Sequence, residues 1–277
     1  MGVTYLCTSP PNCDKLKVVT GADANYFYSL LTLIQTLRTA DTENQFFLDI
    51  WDLGLESWQT DILKTILDSR TSVRSLKDHC EEPFADAFNN KAESFSWKPF
   101  CIKASLHNFE NILWLDAGVA VTGNLELFFS ELVQHGYVFL DNFERKNIDW
   151  TSQECLELMY FQAADESGLQ ISANIIGISN SKESRRLLDD WIQFCSIPES
   201  MFSNDSKHRH DQSVLSILIH RRGLTLTPFS NYAYEGPDFN LARNTGHAFL
   251  AHRRTFNWFD MNFLVNLHGD SRPNIPI

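Results

Sequence analysis

The sequence lacks several features that would assign it to a functional class at once. No run of 18 apolar residues occurs, and residues 1–7 do not place a basic region ahead of a long apolar one. No membrane span or signal peptide is therefore predicted. Positive charge is in deficit, with 23 Lys and Arg against 35 Asp and Glu and a net charge of −12. This balance argues against a nucleic-acid binder and against a protein held on an anionic membrane.

Metal-binding cysteine pairs and phosphate-binding glycine loops are also missing. The six cysteines include no Cys-x-x-Cys pair, and several lie in apolar segments, where a free cysteine behaves as a small hydrophobic residue. No glycine-rich loop follows the first predicted strand, which argues against a nucleotidyltransferase. We therefore expect a protein of a reducing compartment, cytoplasmic and without structural zinc.

The pattern that is present alternates strands with helices. The 277 residues, 43% of them hydrophobic, suffice for one large α/β domain. Strands are predicted at 16–20, 46–50, 71–76, 112–115, 137–141, 171–178 and 224–228. Helices are predicted at 26–37, 59–67, 97–107 and 182–195 and from 211 onward, and residues 142–168 read as irregular. This alternation is typical of an α/β protein with a mostly parallel central sheet flanked by helices.

One predicted strand ends in a carboxylate. Residues 112–115 are apolar, and Asp116, Ala117 and Gly118 follow them. Ligands of open α/β sheets bind beyond the carboxyl ends of the strands, so Asp116 is placed to meet a nucleotide, a metal ion or both. The alternative is that Asp116 caps a turn, because Asp and Gly are favoured there. From this segment alone both interpretations stay open.

Further motifs stand in order around this strand. Thr20 ends the first predicted strand, and Tyr26 opens the helix after it. Lys98 lies on the helix that precedes Asp116, Asn174 interrupts the aliphatic strand 171–178, and the pair Asp211-Gln212 opens a helix. Their order over about residues 16 to 220 resembles the nucleotide-sugar glycosyltransferases of the GT-A fold, most closely the glycogenin-like retaining type. Those enzymes carry Asp-x-Asp where this chain has Asp116-Ala117-Gly118, so the second acid is missing.

The resemblance implies a role for each matching residue. The nucleotide-sugar donor would be bound by Thr20, Tyr26, Lys98, Asp116 and Arg272. The implied catalytic residues are Asn174, Asp211 and Gln212. Asn174 and Gln212 would contact the donor sugar or the acceptor, and Asp211 would position the acceptor hydroxyl or stabilise positive charge at the anomeric carbon. Asp116 with His268 would bind a metal ion, His252 being a rival to His268. Each of three residues also has an alternative, purely structural role: a core aromatic for Tyr26, a solvent-facing cation for Lys98 and a helix N-cap for Asp211. An amide inside an aliphatic strand, as at Asn174, needs hydrogen-bond partners in any case.

The resemblance also implies an architecture and an activity. It implies one GT-A, Rossmann-like domain over residues 1–277, with a nucleotide-binding half at 16–141. An acceptor-binding half with a C-terminal closing segment would follow at 142–277. The implied enzyme moves a hexosyl group from a nucleotide sugar, UDP-sugar above all, to a glycan or glycoconjugate acceptor, with retention. The alternative is a non-catalytic relative that binds a nucleotide sugar or a glycan.

Gly118 leaves the metal chemistry open. The implied Mn²⁺ or Mg²⁺ would have fewer protein ligands, recruit another acid such as Asp141, or be absent. If it is absent, the leaving group would depend on cations, namely Lys98, Arg253, Arg254 and Arg272. The loop 207–210 contains two histidines but is predicted to be a solvated basic loop, because alternate histidines do not form a zinc site without partners elsewhere.

Overall fold

Nine strands form two sheets within residues 16–43, 45–79 and 95–252, which the computed structural model describes. The strands are β1 (Leu16–Ala22), β2 (Phe46–Asp52), β3 (Thr71–Ser75), β4 (Asn111–Leu115), β5 (Val119–Val121), β6 (Tyr137–Lys146), β7 (Leu169–Ser179), β8 (Ala233–Glu235) and β9 (Phe249–Ala251). The larger sheet has the order β3-β2-β1-β4-β7-β6, and the smaller one has the order β5-β9-β8. Strands β3, β2, β1 and β4 pair in parallel, whereas β7 is antiparallel to β4 and β6. The predicted α/β fold with a mostly parallel central sheet is confirmed.

Helices cover both faces of the large sheet. They are α1 (Phe27–Ala40), α2 (Ser57–Ile66), α3 (Leu76–His79), α4 (Trp97–Ser105), α5 (Glu126–His135), α6 (Gln153–Leu158), α7 (Lys182–Cys195), α8 (Pro198–Met201), α9 (Asp211–Arg221) and α10 (Phe239–Asn244). One apolar cluster joins the sheet to α1, α2 and α5, and a second joins it to α4, α7 and α9. Burying each Leu or Ile side chain of these clusters contributes about 1.5–3 kcal/mol. No helix in the described ranges has the length and apolar character to cross a membrane.

Local sequence explains where the helices begin. The Asp23 carboxylate accepts hydrogen bonds from the backbone N–H groups of Asn25 and Tyr26 and so starts the turn that leads into α1. Ser181 caps α7 in the same way, through the backbone N–H of Ser184. Such caps satisfy backbone donors that have no partner inside the helix. The prediction of α7 at 182–195 is confirmed at both ends.

Two predictions of secondary structure are wrong. Residues 224–228 form no strand; only Thr227 bridges the sheet, next to Leu140. Residues 142–168 are more regular than expected, because β6 continues to Lys146 and Ser152 caps α6. The three-residue strands β5, β8 and β9 gave no alternating pattern to read, since three residues are too few to show one.

The pairing of strand β7 with its two neighbours becomes irregular in its first half. Its ladder with β4 ends at the pair of Leu115 and Ile175, and its ladder with β6 shifts register between Ile176 and Ile171. The carboxyl end of β4 and the amino-terminal half of β7 therefore lie next to each other at one edge of the sheet. The backbone N–H of Asp116 donates to the carbonyl of Asn174 at 2.9 Å and continues the contact between these two segments.

Candidate functional site

A lysine lies between two aspartates at the sheet edge formed by the carboxyl end of β4 and the amino-terminal half of β7. The Lys98 ammonium is 3.0 Å from Oδ1 of Asp116 and 3.6 Å from Oδ2 of Asp211. Lys98 is 2% exposed and Asp211 3%, whereas the Asp116 side chain is 33% exposed. The three charged groups therefore form a row, the acidic row, whose outer end is Asp116. Three of the predicted site residues come together here from segments far apart in the sequence.

Helix α4 delivers Lys98 into the protein interior. Its ammonium also donates to the carbonyl of Ala173 at 3.0 Å and lies 5.6 Å and 5.7 Å from the ring centroids of Phe95 and Trp114. Burial by itself would lower the pKa of Lys98, but the charges of Asp116 and Asp211 outweigh burial and raise it above 10.5. Lys98 is thus a fixed, buried cation, and its interpretation as an ordinary solvent-facing lysine is wrong.

Asp116 is held by its own strand. The Trp114 indole N–H donates to Oδ1 of Asp116 at 2.7 Å, on the same oxygen that faces Lys98. A carboxylate fixed by an indole and an ammonium has little freedom to turn away. The turn interpretation also has support, because the Asp116 carbonyl accepts from the N–H of Val119 at 2.9 Å. That contact uses the backbone and leaves the carboxylate to the site.

Asp211 is the buried aspartate of the row. It is the first residue of α9, and the preceding His210 stands at φ +50°, a region that residues other than glycine rarely adopt. The N-cap position belongs to His210, so the interpretation of Asp211 as the helix N-cap is wrong. Burial raises the pKa of Asp211 to about 7, with Lys98 opposing the shift and Asp116 adding to it. Asp211 therefore changes its charge near neutral pH.

Gln212 and Asn174 flank the acidic row. Gln212 lies beside Asp211 on α9, and its side-chain oxygen accepts from the backbone N–H of Ala173 at 3.4 Å. Asn174 lies one residue further along β7, and its amide oxygen accepts from the Ser172 hydroxyl at 2.8 Å. Both side chains are half-buried. The structure thus brings together Lys98, Asp116, Asn174, Asp211 and Gln212.

The predicted nucleotide contacts lie on β1 and just after it. Tyr26 is half-buried and packs against the core cluster on the α1 face, so the core-aromatic interpretation accounts for part of its ring. Thr20 is fully buried inside β1, and its hydroxyl has no hydrogen-bond partner among the described residues. A buried hydroxyl without a partner is costly. Both residues stay predictions as donor contacts.

The described residues do not make a complete metal site. No three His, Cys, Asp or Glu side chains of the described ranges group so as to hold a metal ion. Gly118 offers no side chain, and Oδ1 of Asp141, the acid considered as a substitute, accepts from the backbone N–H of Phe229 at 3.1 Å. Since divalent cations take several oxygen ligands, the described donors do not fit such an ion. The predicted Mn²⁺ or Mg²⁺ stays a prediction.

The structure places His252, the rival histidine, beside the motif. Its backbone N–H donates to the Gly118 carbonyl at 3.0 Å, directly after β9. Burial lowers the pKa of His252 to about 4, so its imidazole is neutral at pH 7. Four predicted residues lie outside the described part of the chain: Arg253, Arg254, His268 and Arg272.

The prediction for the loop 207–210 is wrong at His208. This side chain is buried, and its Nδ1 accepts from the backbone N–H of Ser152 at 3.2 Å. Burial lowers its pKa to about 4. His210 is held through Nδ1 on the Met201 carbonyl at 2.6 Å. The loop is therefore partly a packed support for Asp211.

Sequence reasoning missed Phe95, Trp114 and Gln170 around the site. Phe95 and Trp114 flank Lys98, and Gln170 hydrogen-bonds Gln212. One signal was readable: Gln170 precedes an aliphatic strand, where a buried amide needs partners. The aromatic contacts had no local signal, because Phe95 packs against a side chain of a different segment, at His210.

Comparison with solved structures finds this fold in glycosyltransferases. The bifunctional glycosyltransferase WbbM superposes with a TM-score of 0.61 and 11% identity over 95% of this chain, which spans about half of WbbM, 51%. The galactosyltransferase LgtC, solved with donor and acceptor sugar analogues, gives a TM-score of 0.55 and 12% identity, covering 94% of this chain and 97% of LgtC. Mouse xyloside xylosyltransferase 1 gives 0.53 and 13%, covering 95% and 99%.

No protein-family model and no curated protein matches the sequence. At identities of 11–13% the structural likeness establishes the fold and leaves the activity to be argued from the site. The chain therefore has the GT-A-like α/β fold of these glycosyltransferases.

Proposed function

We propose that the protein is a glycosyltransferase that moves a hexosyl group from a nucleotide-sugar donor, UDP-sugar above all, to a glycan or glycoconjugate acceptor. The observation that carries this proposal is the acidic row at the sheet edge, with Asn174 and Gln212 beside it. Carboxylates, a fixed cation and two amides are the groups that recognise sugar hydroxyls and balance charge during glycosyl transfer. The shared fold with WbbM, LgtC and xyloside xylosyltransferase 1 supports the proposal.

In this proposal the two halves of the domain have different roles. Residues 16–141 contribute Thr20 and Tyr26 to the nucleotide, and residues 142–277 receive the acceptor and close over the donor through His268 and Arg272. Asp116, whose side chain is the most exposed of the acidic row, meets the donor first.

Lys98 keeps the site from becoming strongly negative. With Asp211 protonated, the acidic row is neutral, and with Asp211 ionised it carries one negative charge. An anionic diphosphate therefore binds with less repulsion in the first state, because like charges at close range in a poorly solvated site repel strongly. This local balance matters in a protein of net charge −12.

Asp211 acts electrostatically on the reacting sugar. Glycosyl transfer develops positive charge at the anomeric carbon, and a buried carboxylate stabilises that charge without direct contact. Retention of the anomeric configuration is part of the proposal and rests on the sequence resemblance. Gln212 and Asn174 would hold hydroxyl groups of the donor sugar or the acceptor.

The experiment is a screen of UDP-, GDP- and CMP-sugars for hydrolysis and for transfer, with and without Mn²⁺. Turnover of one donor supports the proposal, and proton NMR of the first-formed product reports retention or inversion. Asp61→Asn, at an exposed carboxylate on α2 with its own lysine partner Lys64, is the matched control for Asp116→Asn. Binding of a donor without turnover would point to the non-catalytic alternative. If no donor gives turnover or a thermal shift, the glycosyltransferase proposal and the non-catalytic alternative are both ruled out.

A further inference from the structure

A chain of buried amides leads from Gln212 away from the acidic row. The Gln212 Nε2 donates to Oε1 of Gln170 at 3.2 Å, and Gln170 Nε2 donates to Oδ1 of Asn147 at 3.1 Å and to the Thr151 hydroxyl at 3.3 Å. Gln170 and Asn147 are fully buried, and Thr151 nearly so. The side-chain hydrogen bonds of Gln170, Asn147 and Thr151 join these residues to Gln212 and to one another, and none of them reaches the acidic row. Their buried polar groups therefore need another explanation.

The direction of every bond in this chain is set by one backbone group. The N–H of Ala173 can only donate, so the Gln212 oxygen faces it and the Gln212 nitrogen faces Gln170. Gln170 must then present its oxygen to Gln212 and its nitrogen to Asn147. At the far end Nδ2 of Asn147 is buried without a hydrogen-bond partner among the described residues, the cost of this fixed polarity.

We propose that Gln170 is a positioning residue, which holds the side-chain amide of Gln212 in one orientation and leaves one Nε2 hydrogen of Gln212 for a sugar hydroxyl. This inference rests on the proposed function for the role of Gln212, and on the geometry alone for its orientation. A half-buried glutamine loses rotamer entropy when it is fixed. Because Gln170 and Ala173 fix Gln212 in the folded protein, this entropy is lost during folding, before any substrate binds.

The backbone of Ala173 links the orientation of Gln212 to the acidic row. Its N–H faces Gln212 and its carbonyl accepts from the Lys98 ammonium at 3.0 Å. The amide of Gln212 and the cation of the acidic row thus both contact the backbone of one residue of β7, Ala173. A change at Gln170 would loosen the amide while leaving Lys98, Asp116 and Asp211 in place.

The test compares Gln170→Met with Gln170→Glu. Methionine has a similar shape but cannot accept a hydrogen bond of comparable strength, whereas glutamate keeps an acceptor for Gln212, and Asn147 can turn its unpartnered Nδ2 toward it. Thr36→Val is the control, because it removes a buried hydrogen bond to the N–H of Val121 on the other face of the sheet. The first readout is proton exchange of the Gln212 side-chain amide by NMR, assigned through Gln212→Ala. The second is kcat and KM for the donor.

We expect Gln170→Met to speed exchange of the Gln212 amide at least tenfold and to lower kcat about tenfold, with KM changing less than about twofold. Gln170→Glu should restore slow exchange and most of kcat, and Thr36→Val should leave both unchanged. Slow exchange in Gln170→Met, or an equal loss of kcat in Thr36→Val, would overturn the proposal. Should Gln170→Met not fold, Thr151→Val weakens the same anchor, and unchanged exchange there would overturn it as well.

Absence of turnover in the wild-type protein bears on the proposed function alone. The NMR readout needs no substrate, so it still decides whether Gln170 orients Gln212. Failure of the positioning role and failure of the glycosyltransferase proposal are therefore distinguishable.

Discussion

Replacing Asp211 by asparagine tests the electrostatics of the acidic row without any assumption about substrate. The side chain keeps its shape and loses its ability to ionise. In the folded protein burial raises the pKa of Asp211 from its ordinary 3.8 to about 7. Between these two pH values the unfolded chain has released the proton and the folded chain still holds it. The wild-type protein therefore loses stability as the pH rises through this window.

The size of the effect follows from the two pKa values. Each pH unit between 3.8 and about 7 lowers the wild-type free energy of unfolding by about 1.4 kcal/mol, which gives about 4 kcal/mol over the window. The asparagine of the variant does not titrate, so it contributes no such dependence. The stability of Asp211→Asn relative to wild type should rise by about 4 kcal/mol from pH 4 to pH 7 and stay level above it.

Urea unfolding at half-unit steps from pH 4 to pH 8.5, followed by circular dichroism, measures this difference. His208 and His252, with pKa values lowered to about 4 by burial, give a slope of the opposite sign between pH 4 and 6.5. Both are present in both proteins, so their contribution cancels in the difference.

Asp165→Asn is the matched control. The hydrogen bond from Arg221 lowers the pKa of Asp165, so its stabilisation is fully present above pH 3.8 and is lost only at lower pH. The difference between this variant and wild type should be flat from pH 5 to 8. A flat or falling difference for Asp211→Asn over the same range would refute the assignment of a raised pKa to Asp211.

Three further outcomes are expected. Asp116→Asn should lower turnover at least a hundredfold in the donor screen while Asp61→Asn leaves it unchanged; equal activity would remove Asp116 from the site. Lys98→Met should lower the free energy of unfolding by about 3–5 kcal/mol at pH 8.5, because Asp116 and Asp211 lose their buried cation. The loss should be smaller at pH 5, where Asp211 is protonated. Urea unfolding at both pH values measures the two losses. Gly118→Asp should supply the missing second acid, so Mn²⁺ should stimulate turnover of this variant more than turnover of the wild type. A metal titration of both proteins measures this difference. Identical titration curves would show that position 118 does not reach the metal.

The positions of most strands and helices followed from local patterns. The apolar run before Asp116 predicted β4 and placed the carboxylate at its end, and the helical spacing of α7 gave its limits. The resemblance to GT-A enzymes then singled out five residues that the fold brings together at one sheet edge. Short strands such as β5 and β9 were not predicted from the sequence, because a three-residue strand is defined by its pairing partner and not by its own periodicity.

The electrostatics of the site needed the tertiary structure. In sequence Lys98 has the features of an ordinary surface lysine, and its depth depends on Ala173, which lies 75 positions away. The pKa of Asp211 depends on burial by α7 and β7 and on Asp116, none of which is encoded near position 211. Burial and charge pairing between distant segments decide such shifts, so no local pattern reports them.

The sequence by itself thus determined the alternation of strands and helices and the residue types at the strand ends, because periodicity and turn chemistry are local. Only the tertiary structure decided that Lys98 lies buried between Asp116 and Asp211, that His252 follows β9 beside Gly118, and that Gln170 hydrogen-bonds Gln212. These arrangements arise around the amino-terminal half of β7, beyond the end of its ladder with β4. Side chains from distant segments meet there, and their packing is a property of the whole fold.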